Sequence, residues 1–447
     1  MNGESLSTPL DLAVVGAGFS GRMVLAQLVR QHQRSADLSL SLSDPQLDIA
    51  PGRAWSDASG LWSANVPAAN LSAWPDRPDD FVDWWAQACT TDPNDLRNAF
   101  SARANYGDYL RDVWRQTLAR SGAGVLELAQ AVTAVQRSGE MWQLTHTDGS
   151  KLRARRVVLA TGNPPPPALP ILSADDPRVL DPLDAARMAA LPVDARVLVL
   201  GSGLSAVDAL QTLFQRRHRG PITLLSRHGL LPAAHAEVPA GRATWDPQAL
   251  GDSARSALRA VRAMLGSGRD WRMVIDGLRP HTVALWRRWP TMERARFLRH
   301  LRAAWDVHRH RAAGVVHHQV FDGIAEHPVE RLTGRFLRID PKVAALQVSW
   351  LPRGAAASSM LECDVVLNAT STSALHWPLL QSLLEDGTLR ADPLRLGLEL
   401  DPIGRTSAPG IYALGPLARA RDWEATAIPE LRMQAAALAG ALVEELS

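Results

Sequence analysis

Short runs of unbroken apolar residues recur along the chain. Two of them are followed at once by glycines and then by apolar residues at helical spacing. Leu12 to Val15 form the first such run, with Val24, Leu25 and Leu28 behind it. This reads as a strand buried on both faces, a tight turn and a helix. Leu38, Leu40 and Leu42 then alternate like a strand that ends at Asp44. Further on, "EMWQLTHTDGSKLRARRVVLATGN" predicts a hairpin turning at Asp148-Gly149, then a buried strand ending Ala160-Thr161-Gly162. Pro164 to Pro167 fit neither a helix interior nor a central strand and predict a crossing between domains. The order then repeats. "ARVLVLGSGLSAVDAL" is again strand, turn and helix, with Val207, Leu210 and Leu213 on the helix face. "GPITLLSRHG" is the next strand, and "AALQVSWLPRGAAASSMLECDVVLNATST" the second hairpin and final strand.

Two copies of one plan predict an α/β fold with two Rossmann-like dinucleotide-binding domains arranged as in glutathione reductase. Arg-rich amphipathic segments between about 236 and 325 predict a helical insert in the second domain. The closing "GIYALGPLARARDWEATAIPELRMQAAALAGALVEEL" predicts a strand, a loop and a final helix. We expect a discontinuous first domain of 1–185 and 376–447, and a second of 186–375.

Composition narrows the function classes. The chain is 46% hydrophobic and 21% charged, with a net charge of +2, which does not point to nucleic acid. Two cysteines far apart, Cys89 and Cys363, offer neither a disulfide framework nor a redox dithiol. "MNGESLSTPL" lacks the basic-then-apolar pattern of a signal peptide, and no run spans a bilayer, so a cytoplasmic protein without a membrane partner is expected. Tryptophan is unusually frequent, at 15 residues. Such aromatics either build a core or line a pocket for a flat ring.

Gly16-Ala17-Gly18-Phe19-Ser20-Gly21 follows a strand and opens a helix. In such a turn the first glycine allows the bend and the second lets backbone approach a pyrophosphate. The third lets helix and strand pack closely, and the helix N-terminus holds the negative charge. Asp44 lies somewhat beyond the usual distance of about 20 residues for a ribose-binding acid; the alternative is a surface turn residue. Gly201, Gly203, Leu204 and Ser205 form a second cradle with Ala206 in third position. Its following strand ends in Ser226 and Arg227 rather than an acid. Arginine forks onto a phosphate that a carboxylate would repel. FAD in the first cradle and NADPH in the second, with NADH possible, follow as expectations.

Taken together, "GAGFSG", "ANVPAANLSAWPDRPDDFVDWW", "VVLATGNPPPP", "VLGSGLSAVDAL", "LLSRHGLLP", "WDVHRHR" and "ALGPLARARDWEATAIPELRMQAAAL" give a chain that resembles the two-dinucleotide flavoproteins. Within them it resembles the FAD-NAD(P)-binding family that includes FAD-dependent urate hydroxylase and aspartate N-monooxygenase-like proteins. The resemblance implies FAD contacts at Gly16, Gly18 and Gly21, at Thr161 and Gly162, and a flavin ring near Asn65, Val66 and Pro67. Many relatives end the C-terminal strand in Gly-Asp. Here Gly415 is followed by Pro416 and Leu417, so backbone amides take the place of the acid or the contact is lost. The helix beginning near Ile428 would point its positive end at the flavin. Ser371 stands where a glycine is usual. A Baeyer–Villiger fingerprint is absent, and "ATGN" lacks the longer tail typical of siderophore N-hydroxylases.

The resemblance implies a monooxygenase that hydroxylates a small polar metabolite, urate-like or amino-bearing. NADPH would reduce FAD, and O2 would add at the flavin C4a and pass one oxygen to the substrate. Two alternatives stand beside it: an FAD-linked NAD(P)H reductase or dehydrogenase without oxygen transfer, and a non-catalytic FAD-binding redox sensor using the Arg-rich insert as a docking face. Asn65, Arg279, Arg309 and Trp423 are the candidate substrate contacts, with packing under the flavin the alternative for Trp423 and its neighbour Glu424. No catalytic side chain is singled out. His308-Arg309-His310-Arg311 lacks metal-ligand spacing, so no metal is expected. His317-His318 is read as a turn at a domain edge.

Overall fold

The computed structural model of the chain describes residues 8–32, 37–47, 52–56, 60–122, 124–170, 176–236 and 241–446. Its strands, in chain order, are β1 (Leu10–Val15), β2 (Leu40–Ser43), β3 (Val125–Leu128), β4 (Val132–Ser138), β5 (Met141–His146), β6 (Lys151–Leu159), β7 (Val179–Leu180), β8 (Val197–Leu200), β9 (Ile222–Ser226), β10 (Val329–Pro341), β11 (Leu346–Pro352), β12 (Ser359–Cys363), β13 (Val365–Asn368) and β14 (Ile411–Ala413). They form two seven-stranded sheets. The first runs β3-β2-β1-β6-β5-β4, with β14 beside the far half of β6; the second runs β12-β11-β10-β9-β8-β13-β7.

The internal repeat is visible in the pairing. β1 lies parallel between β2 and β6, and β8 lies parallel between β9 and β13. All residues of β2 and β8 are buried, as strands covered on both faces are; in β2 these include Ser41 and Ser43. In each copy an antiparallel pair leads into the last parallel strand: β4 and β5 into β6, β10 and β11 with β12 into β13. Asp148-Gly149 turns the first hairpin, with Gly149 at a φ of +83°. The proline run carries the chain from one sheet to the other, anchored where Asn368 Nδ2 donates to the Pro167 carbonyl at 2.9 Å.

Two helices before β3 were not foreseen. Asp80–Cys89 and Arg103–Arg120 bury Phe81, Tyr106 and Tyr109 together, with ring centroids 5.1 to 5.6 Å apart. The insert is helical, as expected. It comprises Ala254–Gly266, Trp271–Leu278, Thr282–Arg288, Thr291–His300 and Arg302–Arg309. The next helix, Gly314–Glu326, belongs instead to the second sheet's layer. It joins the insert to β10 and packs on the helix Leu204–Gln215 so tightly that a Cβ on Gly323 would lie 2.3 Å from the Phe214 ring. His317 and His318 lie inside this helix, not at a turn. His317 stacks on Phe321, one helical turn on, at 4.1 Å. No helix among the described residues is long and apolar enough to cross a membrane.

Candidate cofactor and substrate site

Gly16 ends β1 at a φ of +104°, and a Cβ there would lie 2.4 Å from the Ala160 carbonyl oxygen. Its N–H donates to Ser43 at 2.8 Å. A Cβ on Gly21 would lie 1.9 Å from the Gly16 oxygen. Only glycine fits either place, because backbone closes on both flanks. Gly18 caps the helix Phe19–Gln31 without any side-chain hydrogen bond, which leaves the helix N-terminus to an anion. Phe19 and Ser20 are buried in the first turn. Asp44, at the end of β2, accepts from the Ala17 and Gln46 amides at 2.8 Å each, so its carboxylate braces the glycine turn itself.

Around this cradle stand the other residues expected there. Thr161 follows Ala160, and its buried hydroxyl oxygen has no hydrogen-bond partner in the protein, as a group waiting for a ligand would show. Gly162, at a φ of +64°, accepts from Trp377 Nε1 at 3.1 Å. Gly415 opens a short turn, Gly415–Ala418, containing Pro416 and Leu417. A Cβ on Gly415 would come to 3.2 Å from Ser20 Oγ. Its N–H donates to Gln434 Oε1 at 3.0 Å, and Gln434 Nε2 donates to Asp422 at 3.1 Å. The turn is thus held by a glutamine and a buried aspartate that local sequence does not announce. Close backbone, an uncapped helix and an orphaned hydroxyl all fit FAD.

The second cradle repeats the first. Gly201, at a φ of +116°, would place a Cβ 2.6 Å from the Ala369 carbonyl oxygen, and its N–H donates to Leu225 at 2.9 Å. Gly203 caps the helix Leu204–Gln215 without a side-chain bond; the space beside it is open. Leu204 and Ser205 are half-buried in the first turn. Ser226 ends β9, and its Oγ accepts from Gly229 at 3.0 Å. Arg227 beside it is exposed. The His228 imidazolium is disfavoured by partial burial and then by the charges of Arg227 and Arg353, which shows that positive charge gathers at this strand end. Ser371, in the loop after Asn368, is exposed.

The two halves meet along a polar seam. Arg103 Nη2 donates to both Asp208 carboxylate oxygens, at 2.9 and 3.1 Å, and Trp62 Nε1 donates to Thr212 at 3.1 Å. His235 Nε2 donates to the Asn65 carbonyl at 3.0 Å. Burial first, then the Arg311 charge, brings His235 down to about 4, so it is neutral at pH 7. Asn65 therefore sits where both halves converge.

The other candidate substrate residues fasten the insert to the chain between Gly415 and the helix Ile428–Leu446. Arg309 forks onto Glu424, both buried. Arg279 forks onto Glu430 at 2.9 and 3.1 Å. Trp423 is buried, 4.9 Å from the Trp286 ring, and Trp286 Nε1 donates to Ala420 at 2.9 Å. Among the described residues no group of three His, Cys, Asp or Glu side chains could hold a metal ion.

Two family profiles match the sequence. One, described as FAD-NAD(P)-binding, covers residues 13–164; the other, L-lysine 6-monooxygenase/L-ornithine 5-monooxygenase, covers residues 94–263. No curated protein sequence matches the chain. Among solved structures, ornithine hydroxylase from Pseudomonas aeruginosa in its reduced form superposes with a TM-score of 0.70 at 19% identity, covering 98% of this chain and all of that one. Ornithine N-hydroxylase from Kutzneria sp. 744, with reduced FAD, NADP+ and L-ornithine, gives 0.70 at 14% over the same shares. L-lysine 6-monooxygenase from Pseudomonas syringae gives 0.67 at 19%, again over 98% and 100%. The second profile differs from the urate and aspartate relatives that the motifs resemble, and lies among the N-hydroxylases from which the short "ATGN" tail set the chain apart. Two glycine cradles of one geometry stand on a fold shared with these solved enzymes, and with the two profile matches they mark the chain as an FAD- and NAD(P)-binding oxidoreductase.

Proposed function

We propose that the protein is a monooxygenase that hydroxylates the nitrogen of a small amine-bearing metabolite, taking electrons from NADPH. The observation that carries this reading is the match of residues 94–263 to the lysine and ornithine monooxygenase profile. That stretch includes the whole second cradle, from Gly201 to Arg227, and the seam residues Arg103 and His235. The balance is R–NH2 + O2 + NADPH + H+ → R–NHOH + H2O + NADP+. Bound FAD supplies the chemistry that links the two-electron donor to O2.

The chain's own residues would do the rest. Gly16, Gly18, Gly21 and Thr161 hold the FAD phosphates and sugar, while Gly201, Gly203 and the helix behind them hold the nicotinamide nucleotide. Arg227, with Ser226, selects the 2′-phosphate of NADPH over the bare ribose of NADH. Asn65, at the seam, contacts the substrate. Arg309 and Arg279 position rather than react: through Glu424 and Glu430 they close the insert over the 415–430 segment and keep water out. Arg279 also neutralises Glu430, which stands in the first turn of the helix Ile428–Leu446. The positive end of that helix would then be free to favour negative charge on a bound FAD.

A disulfide-reducing alternative has no support. Cys363 is buried, its thiol pushed up to about 12 by desolvation and then by Asp364. Cys89 is exposed, and the chain holds no third cysteine. The test is a product assay: FAD-loaded protein with NADPH and air, offered diamines, amino acids and urate. Hydroxylamine from at least one amine supports the reading. Turnover of urate and of no amine would replace it.

A further inference from the structure

The insert and Trp423 line a cavity of about 280 Å³, open at one side, that shares no residue with either cradle. Its wall is aromatic: Trp271, Trp286, Trp289, Phe297, Trp305 and Trp423. Five of the chain's 15 tryptophans thus surround one space. A close-packed core would leave no such room, since interiors fill to crystal density. Trp286, Phe297 and Trp423 do pack on one another, at centroid distances of 4.9 to 6.1 Å. They form the back of the cavity, and the half-buried Trp271 and Trp305 flank it.

We propose that this cavity is a binding site for a flat, apolar small molecule of about two fused rings, neutral or carrying an anionic group. Size comes first. An apolar cavity of roughly 150 Å³ holds one benzene, so this one admits about twice that. Indole faces and edges suit a second aromatic ring in stacked or edge-on contact. Charge comes second. No carboxylate lines the cavity; its ionisable lining groups are Arg262 and His308. An ammonium ion there would lose its water and gain no counter-charge, at a cost of several kcal/mol. An anionic end finds Arg262, which is exposed, as is the lining residue Ala304. Free diamines are therefore disfavoured beside Arg262, since indole faces return only about 2 kcal/mol to a desolvated cation, whatever binds at the seam.

The site also touches the cofactor region by one path. Trp423 lies between Asp422, which holds Gln434 and through it the Gly415 amide, and Glu424, which holds Arg309. A ligand against Trp423 bears on the segment whose start, Gly415, packs against Ser20 of the first cradle.

The experiment is calorimetric titration of the FAD-loaded protein with 2-naphthoate, 2-naphthylmethanol and 2-naphthylmethylamine. It reads binding alone and so is independent of the proposed reaction. We expect one site per chain for the first two, with the ammonium compound at least tenfold weaker. Ala304→Trp, at the exposed edge, and Ala257→Phe, at the buried floor, should each weaken 2-naphthoate tenfold or more while keeping bound FAD. Arg262→Ala should weaken 2-naphthoate several-fold and leave the alcohol nearly unchanged. No saturable binding at millimolar ligand overturns the site, as do wild-type affinities in both filled variants. Tightest binding by the ammonium compound overturns the ligand class.

Discussion

Arg309 and Glu424 meet as a buried pair, Arg309 Nε donating to both carboxylate oxygens at 2.9 and 3.0 Å and Nη2 to Oε2 at 2.6 Å. They are 7% and 2% exposed and lie 115 residues apart in sequence. Their bond ties the insert to the segment that runs from Gly415 toward the helix Ile428–Leu446. Removing one partner of such a pair strands a buried charge, which costs about 3–5 kcal/mol. Glu424→Ala should therefore lose stability on that scale. Arg309→Met with Glu424→Leu should recover most of it, because no charge is then left unpaired. Urea unfolding followed by flavin fluorescence reads both. A recovered double variant that still fails to couple NADPH oxidation to product would show that the pair positions the site rather than merely holding the fold.

The cradles are separable. Gly16→Ala forces a methyl to within 2.4 Å of a backbone oxygen at a left-handed φ, and the protein should purify without its yellow colour. Gly201→Ala makes the same clash in the other half. It should keep FAD but show at least tenfold slower flavin reduction by NADPH. Absorbance at flavin wavelengths and anaerobic reduction rates check the two together.

On the proposed reading, Arg227→Ala removes a charge-assisted fork onto the 2′-phosphate, worth about 1.5–3 kcal/mol. The KM for NADPH should rise roughly 10- to 100-fold, with little change for NADH. Equal losses for both nucleotides would remove Arg227 from the 2′-phosphate.

Much of the fold could be read along the chain because its determinants are local. Both glycine turns, the runs Leu12 to Val15 and Val197 to Leu200, and the Asp148-Gly149 hairpin each carry their own signal within about a dozen residues. The helix Arg103–Arg120 hid its pattern. Its buried face is Tyr106, Tyr109, Val113 and Trp114, amid arginines and aspartates that reach outward. Strand β10 hid as well. Its near half pairs with β9 and its far half with β11, so no single alternation runs through it. His317 and His318 read as a turn because two polar rings broke an apolar stripe; burial of Val316 and Val320 on one face decides the helix. At the site, local sequence singles out Trp423, Glu424 and Arg309 but not the bond that joins the last two. Asp208 against Arg103, Glu430 against Arg279 and Gln434 beneath Gly415 are brought together only by tertiary folding.

His235 predicts an acid limit on the seam. Its ordinary value of 6.5 falls to about 4 in the folded chain, by burial and then the Arg311 charge. The unfolded chain therefore binds the proton first. The contribution is complete above pH 6.5, declines as pH falls from 6.5 toward 4, and is constant below. It amounts to something on the order of 3 kcal/mol. Chemical unfolding at half-unit pH steps should show that decline, and His235→Gln should flatten it.

The most direct measurement is the fate of oxygen. FAD-loaded protein, NADPH and 18O2 are combined with the best amine from the product assay, and the product mass is compared with NADPH consumed. One labelled oxygen on nitrogen per NADPH, with little hydrogen peroxide, is the predicted result. Complete recovery of the electrons as hydrogen peroxide, with no labelled product from any amine tested, would contradict the reading of this flavoprotein as an N-hydroxylating monooxygenase.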